Sequence, residues 1–188
     1  MPKMKYRARK ILIIMFTLAV VIAVCGMQYV PAEMRPPTAY QVKAAFLYNF
    51  AKFVEWPDTA FSNSSAPLNI CMLGKNPFDA TLDDIRDKTV RGRPLSIRMN
   101  PGIENLDQCH ILFISASEKN QVHQIIQGLN NASVLTVADM EGFTSAGGMI
   151  NLIMQDNKVS FDINLKSARL TRLKMSSQLL KLAHTVKE

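Results

Sequence analysis

CHILFIS, Cys109 to Ser115, is an almost unbroken apolar run. A strand with one wet face alternates apolar and polar side chains, whereas one covered on both faces does not. The run therefore predicts a central strand of a parallel sheet with helices on either side. Working outward, Leu68 to Leu73 (LNICML), closed by Gly74, and Ser133 to Val137 (SVLTV) read as further buried strands, and Leu95 to Met99 as a short one. Between them, Pro77 to Arg86 and Ser117 to Gln127 read as helices, the second capped by Ser117. Met149 to Met154 and Lys158 to Ile163 read as a hairpin turning at Asp156-Asn157. Asn164 then caps a C-terminal helix carrying Leu170, Leu173, Leu179, Leu180 and Leu182. Strands alternating with helices, followed by a hairpin, give an α/β fold. It has a mixed, mostly parallel central sheet flanked by helices as a sandwich, in a single domain.

Upstream, residues from Ala39 carry a helical period. Val42, Ala44, Phe46, Leu47, Phe50, Ala51, Phe53 and Val54 cover an arc of roughly 200° at 100° per residue. Gln41, Asn49, Lys52 and Glu55 lie opposite. Trp56-Pro57 ends the helix, because the residue before a proline disfavours helical dihedrals. The arc is wider than contact with one sheet requires. The helix should therefore touch its own sheet and something more: a second layer, a second copy of the chain, or a partner.

The N-terminus reads as an export signal. Lys3, Lys5, Arg7, Arg9 and Lys10 precede an uncharged run from Ile11 to Cys25, shorter than the roughly 20 residues of a spanning helix. Val30-Pro31-Ala32 offers small residues for cleavage before Glu33; an uncleaved anchor is the alternative. Cys25 lacks the small preceding residue of a lipidation site. The organisation expected is a signal peptide at 1–32, a proline-rich linker at 33–38 and the α/β domain at 39–188, in the periplasm. Five of the 22 basic residues and none of the 15 acidic ones lie in the signal, so the net charge of +7 falls to +2 in the remainder. The basic balance is thus a matter of targeting and gives no support for nucleic acid binding. After the signal, Cys71 and Cys109 remain. An even pair in an exported chain reads as a disulfide or as two buried thiols. A bridge would be worth about 2–4 kcal/mol.

No catalytic constellation emerges, and no cofactor or metal is expected. His110, His123 and His184 share no ligand spacing. Cys109 and His110 are adjacent in a strand and so point to opposite faces. Asp83, Asp84 and Asp87 read as a solvated acidic face. Gly142 to Gly148 (GFTSAGG) lacks the Walker lysine and dinucleotide glycine spacing, and Ser145 has no nucleophile-elbow context. This stretch reads as a turn or bulge. The second functional reading, a periplasmic protein that binds or senses a small solute, would place its ligand in a cleft near Gly147-Gly148.

VKAAFLYNFAKFVEWP, Val42 to Pro57, resembles the opening signature of the YfiR-like family of periplasmic regulators. LNICMLGKNPF (Leu68 to Phe78), CHILFIS, SVLTVAD (Ser133 to Asp139), GGMINLIMQDNKVSFDIN (Gly147 to Asn164) and SSQLLKLA (Ser176 to Ala183) follow in the family's order. The resemblance covers Thr38 to Ala183. It implies a compact α/β sandwich in the periplasm that is not an enzyme. Such a protein binds the periplasmic sensor part of an inner-membrane diguanylate cyclase and represses cyclic di-GMP production, hence biofilm formation. It also implies redox sensitivity, because Cys71 and Cys109 match a family disulfide. Some relatives carry a second cysteine pair near the GG turn; here Ser145 and Leu152 stand there. A regulator of this kind works by binding one state of its target better than the other. Two surfaces are the candidates for that contact. One is on the first helix, at Lys43, Leu47 and Tyr48. The other is the hairpin-to-helix junction, Phe161, Asp162, Ile163, Asn164 and Leu165 with Arg169 and Leu173. A homodimer is a further partner to be considered.

Overall fold

Thr38 starts the first helix. Its hydroxyl accepts the Gln41 N–H at 3.3 Å, and Gln41 Oε1 accepts the Thr38 N–H at 2.7 Å, a reciprocal capping box. The structure is a computed structural model that describes residues 36–188, except Asn131, together with Met15. The expected signal segment and most of the linker lie outside the described residues. Helix α1 runs Ala39–Phe53. Approaching Pro57 the chain is forced into extended dihedrals and forms a short strand, β1 (Val54–Glu55).

The main sheet contains β2 (Leu68–Leu73), β3 (Thr89–Val90), β4 (Arg93–Met99), β5 (Ile111–Ile114), β6 (Leu135–Ala138), β7 (Ile150–Gln155), β8 (Lys158–Asn164) and β10 (Thr185–Lys187). Their order is β10-β8-β7-β6-β5-β2-β4-β3, and β1 pairs separately with β9 (Lys174–Met175). Within the main sheet only the β3–β4 and β7–β8 hairpins are antiparallel; the other pairs are parallel. The α/β class and mostly parallel sheet expected from the apolar runs are what the chain adopts. Alternation along the strands then divides the core into two faces. Ile70, Met72, Ile111, Phe113, Leu135 and Val137 pack under α1. Cys71, Leu112, Ile114 and Ala138 pack on the other face with Val122 and Ile125 of α2 (Val122–Gly128).

Three helices expected from the sequence are shorter or differently built. Asp79 takes φ 47°, and Asn76 Oδ1 and Thr81 Oγ1 bond the backbone of Phe78. These local bonds compete with an α-helix, so 77–86 holds only a 3-10 turn at Asp79–Leu82. The next helix is a 3-10 segment, Ala116–Gln121, before α2, and its cap is Ser115 rather than Ser117. The C-terminal helix is two pieces, α3 (Leu165–Leu170) and α4 (Ser177–Leu182). Arg172 at φ 62° turns the chain between them so that β9 can pair with β1. Asn164 does cap α3, its side chain accepting the Ser167 N–H at 3.1 Å.

Candidate functional site

The C-terminal end of β6 carries polar chemistry that meets α1. Asp139 follows β6 directly and receives Lys43 Nζ at 2.7 Å, with the two side chains 10% and 7% exposed. Tyr40, one turn earlier on α1, donates its hydroxyl to the same Asp139 oxygen at 3.2 Å. The Lys43 ammonium also lies 4.5 Å from the Tyr40 ring centre. Burial, then the negative charge of Asp139, raises the Tyr40 pKa above its ordinary 10. The cluster is a clamp that fixes α1 across the sheet. Its lysine is held by Asp139 and the Tyr40 ring and, at 10% exposure, has little surface to offer another molecule.

The other residues considered on α1 divide. Leu47 is fully buried, because the wide apolar arc packs on the sheet and against Phe161 and α4. The arc's second contact is therefore an internal one. Tyr48 is half-buried, and Lys52 and Lys88 lie 5.4 and 5.1 Å from its ring centre. At the hairpin-to-helix junction, Phe161, Ile163, Leu165 and Leu173 are core residues. Phe161 meets Phe46 and Phe50 edge to face. Asn164 serves as the cap of α3, and its Nδ2 donates to Thr144 O. Asp162 is half-buried beside β10, opposite Thr185, and its Oδ1 is buried with no hydrogen-bond partner. Arg169 is open to solvent, 4.0 Å from the Glu188 carboxylate. Tyr48 lies toward β3 and Asp162 toward β10, at opposite ends of the sheet order. The fold thus joins the two candidate sets only through their buried members, Leu47 and Phe161 in one core, and leaves Tyr48 and Asp162 apart.

Cys71 and Cys109 form a disulfide with Cα atoms 5.8 Å apart. It ties β2 to the residue pair that leads into β5. The next residue, His110, is buried. Its Nδ1 accepts the Asn69 backbone N–H at 3.0 Å, and its Nε2 stands 3.1 Å from Ala60 O. That pattern requires the proton on Nε2, since a protonated Nδ1 would confront another donor. Burial is the main cause holding the His110 pKa down to about 4; Arg93 and Arg98 add repulsion, and the bond to Ala60 opposes them. His123 and His184 are exposed, as are Asp83, Asp84 and Asp87; Asp83 pairs with Arg86 at 3.0 Å. Among the described residues no His, Cys, Asp and Glu cluster could hold a metal. The GFTSAGG segment is a turn, with the Phe143 ring lying where a side chain on Gly148 would stand.

Asp139 and Tyr40 escaped the sequence reading. The available signal was a lone acid placed directly after an apolar strand, where parallel sheets collect polar groups.

The family described as YfiR/HmsC-like matches residues 40–184. No curated protein matches the chain. Among solved structures, the chain is similar to the ABC domain from Streptococcus pneumoniae in complex with L-Trp, at TM-score 0.51 and 9% identity. That match covers 79% of this chain and 60% of the other. A conserved domain protein from Vibrio cholerae O1 biovar El Tor gives TM-score 0.49 and 8% identity over 77% of this chain and 60% of the other. The chain spans less than two thirds of either structure's length, and at these identities the likeness concerns the fold alone.

Proposed function

This chain belongs to the YfiR/HmsC-like family, and from that premise we propose that it is a periplasmic regulator rather than an enzyme. It binds the periplasmic sensor part of an inner-membrane diguanylate cyclase and represses cyclic di-GMP production. Residues 1–32 serve as its export signal, 33–38 as a linker and 39–188 as the regulatory domain. The observation that carries the reading is the extent of the family match, which runs from α1 through α4. The Cys71–Cys109 bridge is in keeping with an oxidising compartment. For the contact itself, the proposal keeps the candidates that have surface to give: Arg169 and Asp162 at one end, Tyr48 at the other.

A bias of about 3 kcal/mol between two sensor states amounts to roughly a hundredfold, so a modest contact suffices. Deleting the gene should raise cellular cyclic di-GMP and surface attachment. The exported chain should reverse this, and a form lacking 1–32, held in the cytoplasm, should not. Unchanged cyclic di-GMP in the deletion, with the cyclase expressed, would sink the repressor reading.

One observation favours the second reading, a small-solute-binding domain. A cavity of about 160 Å³ opens beside Gly147, between Thr136, Met149, Ser167 and Leu170. Saturable binding there, together with an unchanged deletion phenotype, would put this reading first.

A further inference from the structure

The face where the end of α1 meets the β3–β4 hairpin is basic. Lys52 and Lys88 converge on Tyr48, 5.4 and 5.1 Å from its ring centre. Arg91 Nη2 reaches Lys52 O at 3.4 Å and Glu55 Oε1 at 3.3 Å. Both are long for hydrogen bonds, so the guanidinium keeps donors to give. Arg93 lies 3.8 Å from the Phe61 ring centre, and its Nη1 is held by Asn63 O and Ala66 O. The two arginines line one cleft with Trp56, Phe61 and Asp58. The acids that meet these four cations are Glu55 and Asp58, and among the described residues Lys52, Lys88 and Arg93 form no ion pair. Like charges held together repel, a cost that an acidic partner would reverse.

Arg91 also stands where an arginine is unexpected. With Gly92 it makes the two-residue turn between β3 and β4, at φ 51° and 79°. A turn with both residues at positive φ favours asparagine or aspartate before the glycine, and a long side chain there is uncommon. Residues held in sparsely populated conformations cluster at functional sites. The cleft measures about 140 Å³, below the roughly 300–1,000 Å³ of a small-molecule site; it suits a single side chain. Its open apolar surface belongs to the half-buried Trp56 and Phe61. Val54, Leu68 and Val90, each at most 3% exposed, close it off below. Trp56 is fixed by its Nε1 bond to His110 O at 3.1 Å. A rigid aromatic cleft within a charged rim is the arrangement that anchors one apolar residue of a protein partner.

We propose that this face docks an acidic protein segment carrying one aliphatic side chain. The aliphatic group enters between Trp56 and Phe61, and the flanking carboxylates meet Arg91, Arg93, Lys52 and Lys88. The proposal rests on the reading of the chain as a regulator that acts by contact, and it states the chemistry the sensor must offer at the Tyr48 end.

The test titrates three blocked pentapeptides into the exported, disulfide-bonded chain: four glutamates around a central leucine, the same around alanine, and four lysines around leucine. Trp56, the one tryptophan, lines the cleft and reports occupancy by its fluorescence. The leucine–glutamate peptide should give a saturable change and bind at least tenfold more tightly than either of the others. That binding should weaken tenfold or more as salt rises toward about 1 M, where the screening length is about 3 Å. Arg91→Asn suits the turn and Lys88→Gln is at an exposed position, so the double variant should keep its Tm and bind at least tenfold more weakly. In a strain where deletion raises cyclic di-GMP, the double variant should fail to repress. Four results would each overturn the assignment: no saturable change below about 10 mM, equal binding of the alanine peptide, unchanged affinity of the double variant, or binding to phosphatidylglycerol vesicles in place of the peptide, which would make this a lipid-binding face. Full repression by the double variant, where deletion derepresses, sinks this surface and leaves the regulator reading standing. Peptide binding with an unchanged deletion phenotype does the reverse.

Discussion

Replacing Asp139 with alanine should cost about 3 kcal/mol of stability. In the folded chain Lys43 Nζ is 2.7 Å from Asp139 Oδ2, in a side-chain environment only 10% and 7% exposed. Without the carboxylate, the ammonium keeps only the face of Tyr40, 4.5 Å away. Breaking a buried pair by removing one member costs about 3–5 kcal/mol. The side chain is 10% exposed, so a little water reaches the lysine and the low end applies. For a chain of this size each kcal/mol moves Tm by about 2–4 °C, giving a fall of about 6–12 °C. Lys43→Met combined with Asp139→Leu removes both charges and leaves Tyr40 Oη to water, so the double variant should lie within about 1.5 kcal/mol of the parent. Lys43→Glu would set two carboxylates against each other and should be worse than either single truncation. Urea unfolding followed by Trp56, the one tryptophan, measures each variant in the oxidised form. A loss below about 1 kcal/mol for Asp139→Ala, or a double variant as unstable as the single, would refute the argument. In the second case the damage would come from packing, not from a stranded charge.

Three other perturbations have defined outcomes. Reducing the Cys71–Cys109 bridge, which spans 38 positions, should remove up to about 4 kcal/mol by loop entropy; a scan with and without reductant showing the same Tm would refute it. His110, with its pKa lowered to about 4 from an unfolded 6.5, stabilises the fold fully above pH 6.5. That contribution, on the order of 2–3 kcal/mol, is lost as pH falls toward 4. His110→Gln should flatten that part of the stability profile, and an unchanged slope would count against a buried neutral imidazole. Arg169→Glu, with its side chain 64% exposed, should shift stability by no more than about 0.5 kcal/mol while raising cyclic di-GMP. A fully repressed strain carrying that variant would remove Arg169 from the proposed contact.

The strands were legible because burial on both faces leaves a compositional mark: LNICML is both the stretch expected and β2 as observed, Leu68–Leu73. The break in the C-terminal helix was not, because β9 is two residues long and has no period to read. Its reason for existing, pairing with Val54 and Glu55, lies far away in the chain. Leu47 shows the same limit on the functional side. Periodicity placed it on the apolar arc, but depth depends on Phe161 and α4, which local pattern cannot reveal. Lys43 read as surface because it is charged; its partner stands 96 positions later. The cleft at Trp56 gave no signal, since it depends on a later hairpin bringing Arg91 and Arg93 beside it.

The pairing of β1 with β9 and the meeting of Phe46 and Phe50 with Phe161 also set a timetable. The first described helix is completed by some of the last elements to be synthesised. Until residues near Met175 are free, α1 has neither its strand partner nor its aromatic lid. Contacts of such long separation form slowly. A chain threaded N-terminus first through any narrow passage is therefore kept open by its own topology, and folds when nearly all of it has emerged.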